Sequence, residues 1–387
     1  MNIVHIQDYF HPILGYQETF LPREQAKLRH NVYMVTSDRY SPLIYQANKS
    51  LLGNRIKGAG FFVEEGIKVW RLKTLFEIPH NIWMLGLGKK VEELRPDIVI
   101  MHGIANLTAL RIAKLKNRRR NFKLVYDDHM AFIASRSKLR ALYPLFRWRF
   151  SQLIQEKADA LVAVADTSRM FMHRKYGIPL ERIAVIPLGA DHELFRFDPS
   201  SRREVRQKLS LNNEDVLFVY AGKIIEVKGP HILVGAAIRL MRIHSNVKVL
   251  LVGNGPQAYI QRMKEDIRRT YLEHRFIWHS AVPNGELPKL YSASDVAVWP
   301  CESSLSMLEA MACGLPVIMS DSSETLERVG HDNGLIYQRA DASDLAQQME
   351  KLLDPQLRMK MGHNSRKLIE DKLNWRIIAR QFIEVAS

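Results

Sequence analysis

Two glutamates, Glu302 and Glu309, enclose a run of small polar residues in the segment WPCESSLSMLEAMACGLPVIM (299–319). Its pattern predicts a strand over 295–299, a polar loop and then a helix, with Ser306 and Glu309 as a capping box at the helix start. Backbone amides at the start of a helix that follows a strand bind phosphate. Carboxylates beside such a phosphate site usually hold sugar hydroxyls. The segment therefore indicates a nucleotide-sugar site.

A purely structural interpretation of this segment stays open. Ser306 and Glu309 would then only cap the helix, and Met307, Leu308 and Met311 would be core residues. The rest of the chain has to decide between the two interpretations.

Two lysines form a second candidate phosphate site in YAGKIIEVKG (220–229). Lys223 and Lys228 follow a predicted strand and precede a predicted helix, where two ammonium groups can neutralise a diphosphate. The alternative is that both are solvated surface charges, as most lysines are. A third segment, VGNGPQA (252–258), matches only part of the dinucleotide fingerprint G-x-G-x-x-G and is weak support for a nucleotide cofactor.

These segments lie at the ends of short apolar runs that alternate with helical patterns along the chain. Near-continuous apolar strands between helices are typical of parallel sheets covered on both faces. The predicted strands are 2–7, 31–37, 67–72, 97–102, 123–128, 160–165, 183–188, 216–222, 247–253, 276–281, 295–300, 316–321 and 334–338. We therefore predict an α/β protein with two facing, doubly wound, Rossmann-like domains.

The polar segment 189–215 predicts the domain boundary. Residues 1–195 would form the first domain and residues 196–373 the second. We expect a C-terminal helix at about 374–387 to pack back on the first domain.

The composition is that of a globular protein with an unusual charge. Of the 387 residues, 47% are hydrophobic and 25% are charged, but the net charge is +15. The two cysteines, Cys301 and Cys313, exclude a disulfide scaffold and indicate a reducing compartment, so we expect a cytoplasmic protein. We find no secretory signal, no apolar stretch of roughly 18 residues and no metal-ligand pattern.

The excess positive charge concentrates in KLKNRRRNFK (114–123) and SRSKLRALYPLFRWRF (135–150). Such a field attracts polyanions, which include nucleic acid, anionic lipid and diphosphate substrates. In 135–150 the basic residues are interleaved with bulky apolar ones, which suits a helix lying on an anionic membrane surface. The alternative is an ordinary amphipathic helix with its aromatic residues in the core and its arginines in water.

With these motifs in order, the chain resembles the retaining glycosyltransferases of family 4, which have the GT-B fold. The resemblance is strongest where GKIIEVKG, LLVGNGP, ELPKLYSASDVAVWP (286–300) and LEAMACGLPVI follow one another. In the first half, HPILGYQE (11–18) is similar to the family's glycine loop and YDDHM (126–130) to its active-site histidine segment. GADHELF (189–195) is similar to the hallmark Gly-x-Asp-x-x-x-Phe.

The resemblance implies a role for each matched residue. Lys223 and Lys228 would bind the donor diphosphate, and Glu309 would hold the ribose hydroxyls. Glu302 and His129 would contact the transferred sugar. The implied catalytic residues are His129, Lys228 and Glu302, and the implied donor-binding residues are Gly15, Lys223, Lys228, Ser303, Ser304, Leu305, Ser306 and Glu309.

The chain departs from the family pattern between the two glutamates. Six residues separate Glu302 from Glu309, where the family has seven, and Cys301 occupies the expected position of the first glutamate. Ser303 and Ser304 replace the glycines expected in this loop. Either the shorter loop still brings Glu302 to the sugar, or that contact is lost.

Two more substitutions distinguish the other loops. Lys223 replaces the usual arginine, which keeps the charge but loses the bidentate fork. Tyr16 stands beside Gly15 where the family has a second glycine. The mechanism that the family implies is front-face attack with retention of configuration, in a cleft that closes, with neither a metal nor a cofactor.

We therefore expect a hexosyltransferase that moves a sugar from a UDP-sugar or GDP-sugar to a glycan or polyprenyl-linked acceptor. Lipopolysaccharide, O-antigen or capsule biosynthesis is the expected context, with the protein peripheral on the inner face of the plasma membrane. The alternatives are a non-catalytic relative, a basic nucleic-acid-binding protein and an NAD-dependent dehydrogenase. The chain has neither a recognised nucleic-acid module nor an intact dinucleotide fingerprint, which disfavours the last two.

Overall fold

The computed structural model describes residues 1–78, 81–118, 122–128, 143–301, 304–322 and 328–386. The chain divides into two compact units, Met1–Leu188 with Trp375–Ser387 and Gly189–Asn374. Each unit is built on a predominantly or wholly parallel sheet with helical connections. The predicted α/β class with two Rossmann-like domains is thereby confirmed.

The first unit contains an eight-stranded sheet and a two-stranded sheet. Its strands are β1 (Asn2–Ile6), β2 (Asn31–Ser37), β3 (Gly60–Glu64), β4 (Ile67–Leu72), β5 (Thr74–Ile78), β6 (Asn81–Met84), β7 (Ile98–His102), β8 (Lys123–Asp128), β9 (Ala160–Ala163) and β10 (Ile183–Val185). The large sheet has the order β10-β9-β8-β7-β1-β2-β4-β3, and only the edge strand β3 is antiparallel to its neighbour. Strands β5 and β6 form the small antiparallel sheet.

The second unit contains a six-stranded parallel sheet in the order β13-β12-β11-β14-β15-β16. Its strands are β11 (Val216–Ala221), β12 (Val247–Val252), β13 (Phe276–His279), β14 (Val296–Trp299), β15 (Val317–Ser320) and β16 (Gly334–Tyr337). Strands β11 and β14 are adjacent although they are far apart in the chain. Their neighbouring carboxyl ends are where an open α/β sheet binds its ligand.

The helices surround both sheets. They are α1 (Gln17–Lys27), α2 (Pro42–Ala47), α3 (Lys49–Leu52), α4 (Leu87–Leu94), α5 (Leu107–Arg118), α6 (Tyr143–Arg149), α7 (Ser151–Lys157), α8 (Asp166–Phe171), α9 (Pro199–Lys208), α10 (Pro230–Met241), α11 (Gln257–Arg268), α12 (Leu287–Ala293), α13 (Leu305–Ala312), α14 (Ala342–Lys351), α15 (Pro355–Asp371) and α16 (Trp375–Glu384). None of the helices in the described ranges has the length and hydropathy that a bilayer-spanning segment needs.

Each predicted strand contains an observed one, because the central strands are buried on both faces and therefore apolar throughout. The sequence analysis missed β3, β5 and β6. In β3 and β5 several large apolar side chains are exposed, among them Phe61, Val63 and Leu75. Such strands lack the continuous apolar run by which the others were recognised.

The boundary between the units lies before residue 189, not after residue 195 as expected. The segment GADHELF belongs to the second unit because it is bonded to it at both ends. Ala190 N donates to Leu373 O at 2.8 Å, and Arg366 Nη1 donates to Phe195 O at 2.8 Å. The buried Phe195 ring lies 6.3 Å from the ring of Tyr291 on α12.

The C-terminal helix α16 belongs to the first unit, where it packs on α1. Its buried residues Trp375, Ile378 and Phe382 recur with helical spacing, so they form one apolar face. The ring of Trp375 stacks on that of Phe20 with centroids 5.8 Å apart. Through this contact the C-terminal helix completes the first unit.

Candidate functional site

The lysine loop of the second unit, residues 222–229, follows the carboxyl end of β11. Tyr220 Oη donates to Lys223 O at 2.8 Å, which fixes the backbone just after the strand. A single 3-10 turn, Glu226–Lys228, then leads through Gly229 into α10. The loop therefore holds both lysines on a backbone with defined hydrogen bonds.

The two glycines of VGNGPQA permit a close backbone contact with this loop. Gly222 N donates to Val252 O at 2.9 Å, and a Cβ atom at Gly253 would lie 1.8 Å from Gly222 O. A Cβ atom at Gly255 would lie equally close to Ile224 O. Glycine is required because any side chain would push the lysine loop away. These glycines thus have a packing role, which removes the main support for the dehydrogenase alternative.

Helix α13 starts one residue after Ser304, so the predicted capping box at Ser306 is wrong. Ser304 is the N-cap residue, and its hydroxyl lies 2.6 Å from that of Ser306. The Ser306 hydroxyl donates to Ala221 O at 2.7 Å, the last residue of β11. The side chain of Ser306 therefore connects the start of the helix to the end of β11, where the lysine loop begins. Leu305 is the first helical residue.

The lysine loop also contacts the end of β14. A Cβ atom at Gly229 would lie 2.5 Å from Cys301 Sγ and 3.1 Å from Pro300 Cβ. The backbone amides at the start of α13 and the lysine loop thus meet at the adjoining carboxyl ends of β11 and β14. Amides and ammonium groups together are suited to a diphosphate.

Glu309 lies in the second turn of α13, with 3% of its surface exposed. Asn284 Nδ2 donates a 2.7 Å hydrogen bond to Glu309 Oε1. The pKa of Glu309 is raised to about 8, chiefly by burial; the hydrogen bond from Asn284 lowers this pKa, and the Asp191 carboxylate adds a smaller upward contribution. A carboxyl group buried beside an anion site is a functional candidate, because burying it costs stability.

Asp191 belongs to the GADHELF segment and acts on Glu309 through its charge. Asp191 Oδ1 accepts hydrogen bonds from the backbone amides of Glu193 and Leu194 at 3.1 and 3.0 Å. These bonds fix the turn that buries Phe195. The sequence gave no indication that the Asp191 carboxylate raises the pKa of Glu309.

Asn284 was missed in the sequence analysis. It begins a 3-10 turn, Asn284–Glu286, in the loop that follows β13. A polar residue in a loop after a strand of the same parallel sheet was the available signal, but the chain has many such residues. Only the fold shows that this one donates to Glu309.

The two lysines influence each other electrostatically. Burial lowers the pKa of Lys223, and the positive charge of Lys228 lowers it further. Lys223 is nevertheless exposed to solvent, so an incoming ligand can reach it. A bound anion would favour the ammonium form of Lys223, so this position is suited to an anionic ligand.

Three predicted site residues, His129, Glu302 and Ser303, lie outside the described residues. In the first unit, Gly15 ends a 3-10 turn over Pro12–Leu14 with a φ of 65°. Tyr16 follows it as the N-cap residue of α1. The position of Gly15 after β1 agrees with the glycine loop that the resemblance implies, and its role in donor binding stays a prediction.

A buried network of hydrogen-bonded side chains reaches β8, the strand that precedes His129. His5 Nε2 lies 2.7 Å from Gln25 Oε1, and His5 Nδ1 lies 3.0 Å from His102 Nε2. His102 Nδ1 lies 2.9 Å from Asp127 Oδ2, which also accepts from Gln17 at 2.8 Å. This network connects α1 to the carboxyl ends of β7 and β8. No sequence motif indicated the network.

Two family models match the chain. The model described as Glycosyl transferases group 1 matches residues 201–368, and that described as Glycosyltransferase Family 4 matches residues 21–194. The first match contains the lysine loop and Glu309. The second match contains most of the first unit.

Curated relatives are similar over part of their length. The D-inositol 3-phosphate glycosyltransferase of Segniliparus rotundus is 30% identical over 172 residues, which are 43% of this chain and 38% of that protein. The GDP-mannose-dependent alpha-(1-6)-phosphatidylinositol monomannoside mannosyltransferase of Mycolicibacterium smegmatis is 27% identical over 247 residues, 60% of this chain and 63% of the relative. The chain thus spans less than two thirds of either relative.

Solved structures share the fold at low sequence identity. Anabaena HepE in complex with UDP and glucose has a TM-score of 0.73 and 20% identity, with 99% of this chain and 98% of that chain covered. WaaG, a glycosyltransferase involved in lipopolysaccharide biosynthesis, has a TM-score of 0.68 and 16% identity, with 100% and 99% covered. These structures share the GT-B fold of the chain, and the two family matches, over residues 21–194 and 201–368, show that the chain belongs to the group 1 glycosyltransferases of family 4.

Proposed function

We propose that this protein transfers a sugar from a nucleoside-diphosphate sugar to a glycan or lipid-linked acceptor. The observation that supports this most directly is the position of Glu309. It is a buried carboxyl group on the helix whose Ser306 hydroxyl is bonded to the end of β11, where the lysine loop begins. A site that combines a buried carboxyl group with two ammonium groups is suited to hold ribose and diphosphate together.

The residues of the second unit divide the work of donor binding. Lys223, Lys228 and the amides at the start of α13 neutralise the diphosphate. Glu309 binds the ribose hydroxyls, and Asn284 orients its carboxyl group. In the reaction the same positive groups stabilise the charge that develops on the departing diphosphate, so they promote departure of the leaving group without a protein nucleophile.

We further propose retention by front-face attack, in which the leaving phosphate accepts the proton of the acceptor hydroxyl. His129 and Glu302 would contact the transferred sugar in this mechanism. Since the lysines and amides carry the counter-charge, we expect donor binding to be independent of divalent cations and of any cofactor.

The proposed donor is a UDP-sugar or a GDP-sugar. UDP is bound in the HepE structure, and the mannosyltransferase relative is named for GDP-mannose. The acceptor would be a polyprenyl-linked or glycan acceptor of cell-surface polysaccharide biosynthesis, such as lipopolysaccharide, O-antigen or capsule. The protein would act in the cytoplasm, peripheral to the inner face of the plasma membrane.

Donor binding tests the proposal. UDP-, GDP-, ADP- and dTDP-sugars are compared by thermal shift and calorimetry, with and without EDTA. We expect one nucleotide class to bind with and without EDTA, and Lys228→Ala to weaken binding by about 10- to 100-fold, the effect of losing one charge-assisted contact. Lys351→Ala removes an equal charge from α14, where Lys351 Nζ donates to Gln348 Oε1 of the same helix at 2.9 Å, and serves as the control.

Two results would contradict the proposal. One is that no donor binds, with or without membranes that carry lipid-linked acceptors. The other is that Lys228→Ala and Lys351→Ala bind the donor equally well.

A further inference from the structure

The helix α6 of the first unit presents two different surfaces. Tyr143 and Phe146 face inward, where their rings lie 5.7 and 5.3 Å from the ring of Tyr176. Of the segment 135–150, residues 135–142 lie outside the described residues, and within α6 Phe146 packs against the protein, so it is not one of the side chains available to a membrane surface. Trp148 by contrast is 77% exposed, and Arg147 and Arg149 on either side of it are exposed as well.

Beside α6 lies a recess of about 600 Å³. Its lining includes Arg147 from α6, and His173 and Arg174 from the π-helical turn Met172–Tyr176 that continues α8. Turns of this kind are rare and often occur at functional sites. The recess is therefore lined by two arginines and a histidine that come from two separate elements.

Arg147 reaches the recess across Gly177. A Cβ atom at Gly177 would lie 2.6 Å from Arg147 Nε and 3.0 Å from its Cδ, so the arginine side chain lies directly against this glycine. Within the described ranges, the guanidinium groups of Arg147 and Arg174 form no ion pair with a carboxylate. Glu181 is the acidic residue that lines the same recess.

We propose that this recess, together with Trp148, is the site at which the protein binds the phosphate headgroups of an anionic phospholipid surface. Two arginines at one recess provide several N–H donors for phosphate oxygens. The exposed indole of Trp148, which follows Arg147 in α6, has the amphipathic character of side chains that lie at the membrane–water interface. Arg149 and Lys175, exposed residues that follow Trp148 and Arg174 in the sequence, add positive charge to the two elements. This inference names the surface through which the protein would bind the membrane, and it rests on the peripheral location given in the proposed function.

The test is vesicle co-sedimentation of the full chain at fixed ionic strength. Vesicles of phosphatidylcholine alone are compared with vesicles that also contain phosphatidylglycerol. We expect binding only to the anionic vesicles. Each basic side chain near an anionic surface contributes about fivefold to affinity, so R147Q/R174Q should bind about 25-fold more weakly. Glu181→Gln should bind more tightly, because it removes a negative charge that lines the recess.

The control is R268Q/R269Q, which removes two exposed positive charges at the end of α11 in the second unit. Equal losses for the two double variants would overturn the proposal, since net charge alone would then explain binding. Equal binding to both kinds of vesicle would also overturn it. Competition by inorganic phosphate distinguishes a lipid surface from a free phosphate: complete release by phosphate at matched ionic strength would assign the recess to a small anion and contradict the lipid assignment.

Trp148→Phe supplies a second measurement on a protein with unchanged charge. We expect a blue shift of tryptophan fluorescence when wild-type protein binds anionic vesicles, and we expect Trp148→Phe to lose most of it. Donor binding without vesicles separates this inference from the proposed transferase activity. R147Q/R174Q should bind the nucleotide-sugar like wild type, so failure of one hypothesis leaves the other testable.

Discussion

Replacing Glu309 by glutamine should remove a pH-dependent cost to the stability of the second unit. The carboxyl group has a pKa of about 8 in the folded protein, raised from 4.5 first by burial and then by Asp191. The folded state therefore keeps its proton up to about pH 8, whereas the unfolded chain releases it near pH 4.5. Between these pH values folding takes up a proton, so the free energy of unfolding falls as the pH rises. The decrease is complete above about pH 8.

The pKa interval sets the size of the effect. Each pKa unit corresponds to about 1.4 kcal/mol, so the interval from 4.5 to about 8 corresponds to up to roughly 5 kcal/mol. Glu309→Gln keeps the carbonyl oxygen that accepts from Asn284 but cannot ionise. Its stability should match that of the wild type at about pH 4.5 and exceed it by several kcal/mol at about pH 9.

Hydrogen exchange of the peptides that cover α13 and β14 measures this difference. Wild type and variant are compared at the same pH, so that the intrinsic exchange rates cancel. Glu265→Gln on the exposed face of α11 is the control and should show no such trend. A stability difference between wild type and Glu309→Gln that does not change with pH would refute the reasoning, because it would mean that the Glu309 carboxyl group is not held neutral by its surroundings.

Three further substitutions test the packing, a charge and a hydrogen bond around the site. Gly253→Ala should destabilise the second unit by about 3 kcal/mol or more, because its Cβ would overlap a carbonyl oxygen of the lysine loop, whereas Gly285→Ala enters open space and should leave thermal stability unchanged. Asp191→Asn keeps the turn but removes a charge, so the pKa of Glu309 should fall, and the same exchange experiment should reach its plateau at a lower pH. Ser306→Ala leaves a buried carbonyl unbonded and should cost about 1 to 3 kcal/mol in urea unfolding.

The fold was predictable because its strands are buried on both faces. Runs such as VLFVYA and VKVLLV are apolar throughout, and that pattern has few other structural explanations. The pair β5–β6 carries no such signal, because β5 exposes Leu75, Phe76 and Ile78 and β6 alternates buried with half-buried residues. It is fixed by tertiary contacts, among them the hydrogen bond of 2.8 Å from Tyr9 Oη to Glu77 Oε1.

The candidate site was predictable only in part. Lys223, Lys228 and Glu309 could be named because they occur in motifs with a fixed order. The role of Ser306 could not, since local sequence favours helix capping and the fold instead directs its hydroxyl to Ala221 O. Asn284 was beyond sequence reasoning for a similar reason: its partner lies 25 residues away, on another element.

The opposed shifts of Lys223 and Glu309 lead to a last prediction. Without ligand, burial and Lys228 lower the pKa of Lys223, while burial and Asp191 raise that of Glu309, so the surroundings of each group disfavour its charged form. A bound diphosphate would raise the pKa of Lys223 again, because an anion stabilises the ammonium form. Donor binding at alkaline pH should therefore take up protons.

Calorimetry in two buffers of different ionisation enthalpy measures that uptake. Lys223→Arg is the matched variant, because arginine stays protonated at every accessible pH while it keeps the positive charge. We expect proton uptake for the wild type to exceed that for Lys223→Arg, with Lys228 unchanged in both. Equal uptake would mean that the diphosphate does not bind next to Lys223, even if the donor binds elsewhere on the protein. The experiment thus tests the position of the diphosphate separately from the presence of a donor site.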